Sequence, residues 1–110
     1  MDIEELLERY RQLADRYAPA RANREYIDEY KKSMLALLMK DAERNGFNSG
    51  VAQEREARAN KQYLKLLDDL KTAVHEEEKI RYHLKAVELE IEIYRTKSAN
   101  ERAERRAYGA

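Results

Sequence analysis

The 110-residue chain has no cysteine, one proline and three glycines. Without cysteine, disulfides and thiolate chemistry are excluded. The glycines stand at Gly46, Gly50 and Gly109, so no Gly-rich phosphate loop exists. Ser33, Ser49 and Ser98 are the serines, and none lies in a nucleophile-elbow context. The longest fully apolar run is "MLALLM", far short of the roughly 20 residues of a membrane span. The opening "MDIEELLERY" is acidic and lacks the apolar core of a signal peptide. A cytoplasmic protein with no membrane partner is therefore expected. The formal net charge is zero, which removes the simplest electrostatic argument for nucleic acid.

What is abundant is charge. Asp, Glu, Lys and Arg make up 40% of the chain, against roughly 25% in ordinary globular domains. Disorder is the alternative for so charged a chain. The 43% of apolar residues, however, fall at regular spacings, which argues for folding. Low Gly and Pro with abundant Ala, Glu, Lys, Leu and Arg reads as long helices in a single domain.

Asp2 with Glu5 fits an N-cap and a capping-box acid. Ile3, Leu6, Tyr10, Leu13 and Tyr17 then recur in steps of three and four, one face of a helix over about 2–18. Pro19 predicts that this helix ends or kinks there. A second helix is expected over about 20–45. Ile27, Tyr30, Met34 and Leu37 form one stripe on it, and Leu35, Leu38 and Ala42 another. "RNGFNSG" stops it, with Gly46 at the left-handed position, Phe47 as the accompanying apolar contact, and Ser49 or Asn48 as the next cap.

From Val51 to about Tyr108 there is neither Pro nor Gly. Tyr63, Leu66, Leu70, Ala73, Glu77, Ile80, Leu84, Val87, Ile91, Tyr94 and Ser98 form one seam, and only Glu77 and Ser98 are polar. A periodic helix of this length, expected over about 50–107, suggests a coiled coil. Unbroken, it spans about 85 Å. Folding the chain at Phe47 sets residue i opposite about 95 − i, which faces Pro19 with Glu76 and Glu77. Glu77 is then expected where packing is loosened at a kink.

The expected fold is all-α: a long antiparallel helical hairpin or coiled coil, its first arm broken or kinked at Pro19. A hairpin buries one side of the long helix. Tyr82, Ala86, Leu89 and Ile93 form a second stripe that needs another surface. That surface is either the first helix, wrapped into a three-helix bundle, or a second subunit. A homodimer is the favoured expectation, since symmetric dimers are the commonest oligomers.

"VHEEEKIRYH", residues 74–83, is the one stretch that invites a metal reading. The zincin motif places two histidines one turn apart. His75 and His83 lie eight residues apart, about 12 Å along a helix. Neither has two carboxylates three or four residues away on its own face, and the Glu-x-x-His pairs of di-iron bundles are missing. Glu76, Glu78, Lys79, Arg81 and Lys85 read instead as a solvated face with helical ion pairs. No catalytic residue, metal site or cofactor is expected. Of the eight tyrosines, Tyr10, Tyr17, Tyr30, Tyr63 and Tyr94 sit on apolar stripes and suit core packing. Tyr26, Tyr82 and Tyr108 suit an interface.

The end "YRTKSANERAERRAYGA" carries Arg95, Lys97, Arg102, Arg105 and Arg106 against Glu101 and Glu104. A basic helical end contacts phosphates or a protein partner. Read without a ligand, it is a solvated helix terminus where cations suit the macrodipole. The C-terminal third, from "EEEKIRYHLKAVELEIEIYRTKS" onward, resembles the ends of small uncharacterised all-helical proteins of tailed bacteriophages through its "EIYRTKSANERAERRAY" pattern. The resemblance implies an accessory role beside phage replication and recombination, in the host cytoplasm. It carries no catalytic residue. A non-enzymatic interaction module for a protein partner is the leading expectation. A DNA-associated accessory protein is the competing one.

Overall fold

The computed structural model describes residues 2–109. Among these residues every regular element is helical: α1 (Ile3–Arg44), α2 (Gly50–Arg58) and α3 (Lys61–Ala107). None is long and apolar enough to cross a membrane. The described residues fall into two compact units, 2–18 with 78–109, and 19–77.

Pro19 lies inside α1, which continues for 42 residues. Of the end or kink expected at Pro19, the end is not there. A proline removes one helical hydrogen bond. Pro19 is on an exposed face, where water can serve the carbonyl that loses its donor.

In the unit of residues 19–77, α1 ends as the glycine predicts. Gly46 has φ 99°, a conformation that costs glycine little. The Phe47 amide donates to the Ala42 carbonyl and the Gly46 amide to the Glu43 carbonyl, both at 3.1 Å. This is the paired hydrogen bonding of a Schellman turn. Of the two candidate caps, Ser49 opens α2: its hydroxyl accepts from the Ala52 amide at 3.1 Å.

The single helix expected over about 50–107 is two helices. Asn60 interrupts it. Its side chain accepts from the Gln62 amide at 2.8 Å, while its own amide donates back to the Ala57 carbonyl at 3.2 Å. The Asn side chain thus acts as N-cap of α3. The break has a packing consequence. Ala57 and Tyr63 are both buried and join Leu38 in one cluster, with Met34, Leu35 and Met39 packed against it. On a continuous helix, residues six apart point about 120° away from each other. The interruption lets both face the same partner.

Residues taken up by this break also shift the pairing of α1 with α3. Glu77 does not lie beside Pro19. It meets Arg24, five positions further on, in a two-point contact: Nε to Oε2 at 2.6 Å and Nη2 to Oε1 at 3.1 Å. Glu77 is 6% exposed. Its place in the seam rests on a guanidinium, not on loose packing at a kink. That hydrogen bond raises the Arg24 pKa above the usual arginine range, against the opposing effect of burial.

In the unit of residues 2–18 and 78–109, Asp2 caps α1, accepting from the Glu5 amide at 2.8 Å. The α1 and α3 segments lie side by side. The Tyr10 hydroxyl donates to the Glu88 carboxylate at 3.3 Å. Leu6 and Leu13 on α1 and Ile80 and Val87 on α3 are buried. Leu6 shares a depression with Ile93 and Tyr94, further along α3 than Glu88, so the two segments run antiparallel.

Candidate interaction surfaces

The seam and the second stripe of α3 have opposite fates. On the seam, Tyr63, Ala73, Glu77, Ile80 and Val87 are buried. On the second stripe, Tyr82 is 58%, Leu89 65% and Ile93 56% exposed, and Ala86 is exposed with them. The steps of four, three and four residues put these four side chains on one face. Measured from Val87 on the seam, that face points roughly 130° away at 100° per residue. α1 covers the seam and leaves the stripe bare.

Cations line the stripe at its Tyr82 end. The Arg81 guanidinium sits 5.0 Å and the Lys85 ammonium 5.3 Å from the centre of the Tyr82 ring, within cation–π range. Arg81 is also paired with Glu78, whose hydrogen bond raises its pKa. At the other end, Glu92 pairs with Arg95 at 3.2 Å. An open groove beside the stripe, about 590 Å³, is lined by Leu7 and Tyr10 from α1 and by Leu89 and Ile91 from α3. Lys85, Glu88, Glu92 and Arg95 form its rim. It is apolar at its base and charged at its edge, the makeup of a helix-docking surface.

The basic end lies elsewhere on α3. Arg95, Lys97, Arg102, Arg105 and Arg106 are all exposed, and α3 continues to Ala107. Beyond Ser98 every described residue is exposed. Arg95 stands on the rim of the apolar groove and Lys97 beside Leu6 and Ile93, while Arg102, Arg105 and Arg106 lie further out on the fully exposed turns.

"VHEEEKIRYH" is divided by its environment. His75 and His83 are exposed, as are Glu76 and Lys79. Glu77 is buried against Arg24, and Glu78 pairs with Arg81. Among the described residues no three His, Asp or Glu side chains converge in a way that could hold a metal ion. The central glutamate is structural, and its two neighbours belong to the helix surface.

The tyrosines sort less evenly than their spacing suggests. Tyr63 is buried, while Tyr10 and Tyr17 are half-buried. Tyr30 and Tyr94 remain exposed. Tyr30 stacks on Tyr26, their ring centres 6.0 Å apart and their planes nearly parallel. Of the three tyrosines expected at an interface, Tyr26, Tyr82 and Tyr108 are all exposed.

Two residues that matter escaped the sequence reading. Arg24 was legible in principle. It falls at helical spacing between Ala20 and Ile27, the polar position on its stripe as Glu77 is on the facing seam. Asn60 was legible only as a residue that favours caps over helix interiors. Comparison with known proteins finds no matching family model, no matching curated protein and no matching solved structure.

Proposed function

We propose that this protein is a non-enzymatic helical interaction and oligomerisation module, whose working surface is the outer stripe of α3. The observation that carries this reading is the exposure of Tyr82, Leu89 and Ile93, each more than half open to solvent on one face. Single exposed apolar residues need no explanation, but an aligned set rimmed by charge favours a protein partner. With the resemblance to small phage proteins, the module is an accessory or host-modulating factor that meets its protein partner in the host cytoplasm. Homodimerisation is part of this reading.

The test is a double substitution, Leu89→Glu with Ile93→Glu. Both side chains lie outside the buried seam, so helicity by circular dichroism should be unchanged. Association, followed by sedimentation and by capture of host proteins, should be lost. Association that survives the double substitution removes the stripe from the mechanism.

The second reading is a DNA-associated accessory protein of replication or recombination. Its support is the exposure of Arg95, Lys97, Arg102, Arg105 and Arg106 on the terminal turns of α3. It calls for anisotropy of labelled DNA that falls steeply with salt, and for loss of that binding on truncation after Ile93. No binding at low salt leaves the protein-interaction reading alone.

A further inference from the structure

We infer that the occupant of the α3 stripe is the same stripe of a second copy, docked antiparallel about a two-fold axis near Val87 and Glu88. This rests on the interaction-module reading and names its partner.

The stripe is short and closed at both ends. Tyr82, Ala86, Leu89 and Ile93 take the alternating d and a positions of a heptad, and the next positions outward are Lys79 and Thr96. An antiparallel copy places Tyr82 against Ile93 of the second copy, and Ala86 against Leu89 of the second copy. Two-fold symmetry repeats each layer. Four layers then use every apolar residue of the stripe, with none left over to recruit a third chain. Such a self-complementary contact closes at two subunits.

Charge is complementary in the same arrangement. In antiparallel helices the g positions face one another, and so do the e positions. Lys85 and Glu92 occupy successive g positions, so Lys85 meets Glu92 of the second copy, twice by symmetry. His83 and Glu90 occupy successive e positions and meet in the same way. Lys85, Glu92, His83 and Glu90 are all exposed, and Glu92 meets Lys85 beside its own exposed pairing with Arg95.

Charge alone permits either direction, because a parallel pair would set Lys85 beside Glu90. Volume selects between them. A parallel pair stacks Ala86 on Ala86 between a Tyr82 layer and a Leu89 layer, which leaves a void. Unfilled space in a helical core costs both stability and uniqueness. The antiparallel pair matches the small Ala86 to the large Leu89, and the aromatic Tyr82 to the branched Ile93. The contact is small, near the lower bound of about 1,000 Å² for a specific interface. Self-association should therefore appear at roughly micromolar concentrations and above.

The absence of cysteine makes a clean test. A spin label on Asn100→Cys sits on an exposed turn, on the same face but two turns beyond the end of the stripe. In the antiparallel dimer the two labels lie about 37 Å apart along the helices, and in a parallel dimer about 10 Å. The expected result on the full chain is a concentration-dependent dimer with the long distance. Lys85→Glu should weaken it about five- to tenfold, and Lys85→Glu with Glu92→Lys should restore it. A short distance overturns the antiparallel docking and leaves the stripe in use. A dimer indifferent to Leu89→Glu with Ile93→Glu overturns the docking together with the reading beneath it. A monomer at every concentration overturns self-docking. The effect of the same pair of substitutions on capture of host proteins then judges the module reading separately.

Discussion

The two compact units use their apolar residues differently. In residues 19–77 the chain reverses through a glycine turn, restarts at Asn60, and brings Leu38, Ala57 and Tyr63 into one cluster. Even its buried carboxylate has a guanidinium partner. In residues 2–18 and 78–109 one face of α3 is buried through Ile80 and Val87, while Tyr82, Leu89 and Ile93 on the far side stay open. Two antiparallel helices can bury one stripe on each member and no more. The unit with a third helical piece gains a buried cluster yet still leaves Tyr26, Leu37, Val51 and Leu64 more than half exposed, scattered over its helices. The other unit differs in that Tyr82, Leu89 and Ile93 line up on one face of α3.

Substitution of tyrosine tests this contrast most strongly. Tyr63→Ala should cost about 3–5 kcal/mol in denaturant unfolding, the range for a large buried aromatic. Tyr82→Ala should stay within about 0.5 kcal/mol in the monomer. Similar costs at the two positions would erase the distinction between the units.

The ion pair comes next. Arg24→Ala leaves the Glu77 carboxylate in the seam without its guanidinium. Glu77→Ala leaves an arginine that can turn to water, since Arg24 keeps 27% of its side chain exposed. Both should lower the melting temperature, Arg24→Ala by several degrees and by more than Glu77→Ala. Arg24→Met with Glu77→Leu should melt close to the parent, because a buried pair is replaceable by packed apolar groups. Equal losses in the two single variants would mean that the carboxylate reaches water on its own.

The smallest expected effect is at the break between α2 and α3. Asn60→Ala removes the cap and should cost about 1 kcal/mol. Amide exchange should quicken first around Gln62. A variant as stable as the parent would show that packing of Tyr63 beside Ala57, and not the cap, holds the interruption.

Much of the architecture was legible because helical periodicity is written in single residues. The seam from Tyr63 to Val87 and the turn at Gly46 follow from spacing and from one backbone conformation. The helix end offered as one alternative at Pro19 failed because proline lowers the preference for a helix without forbidding one whose flanks on both sides favour it. The break at Asn60 was hidden because Asn is tolerated in helices, and its cap wins only where Ala57 and Tyr63 gain a common partner. Pairing Glu77 with Arg24 needed the register of two segments, which the break had shifted.

By itself, then, the sequence determined that this protein is all helical, where its apolar faces run and where α1 must turn back. These depend on neighbours three or four residues apart. The tertiary structure alone decided which face is covered, which carboxylate has a partner and where the long helix is interrupted. Those outcomes depend on residues far apart in the chain, whose alignment no local pattern states.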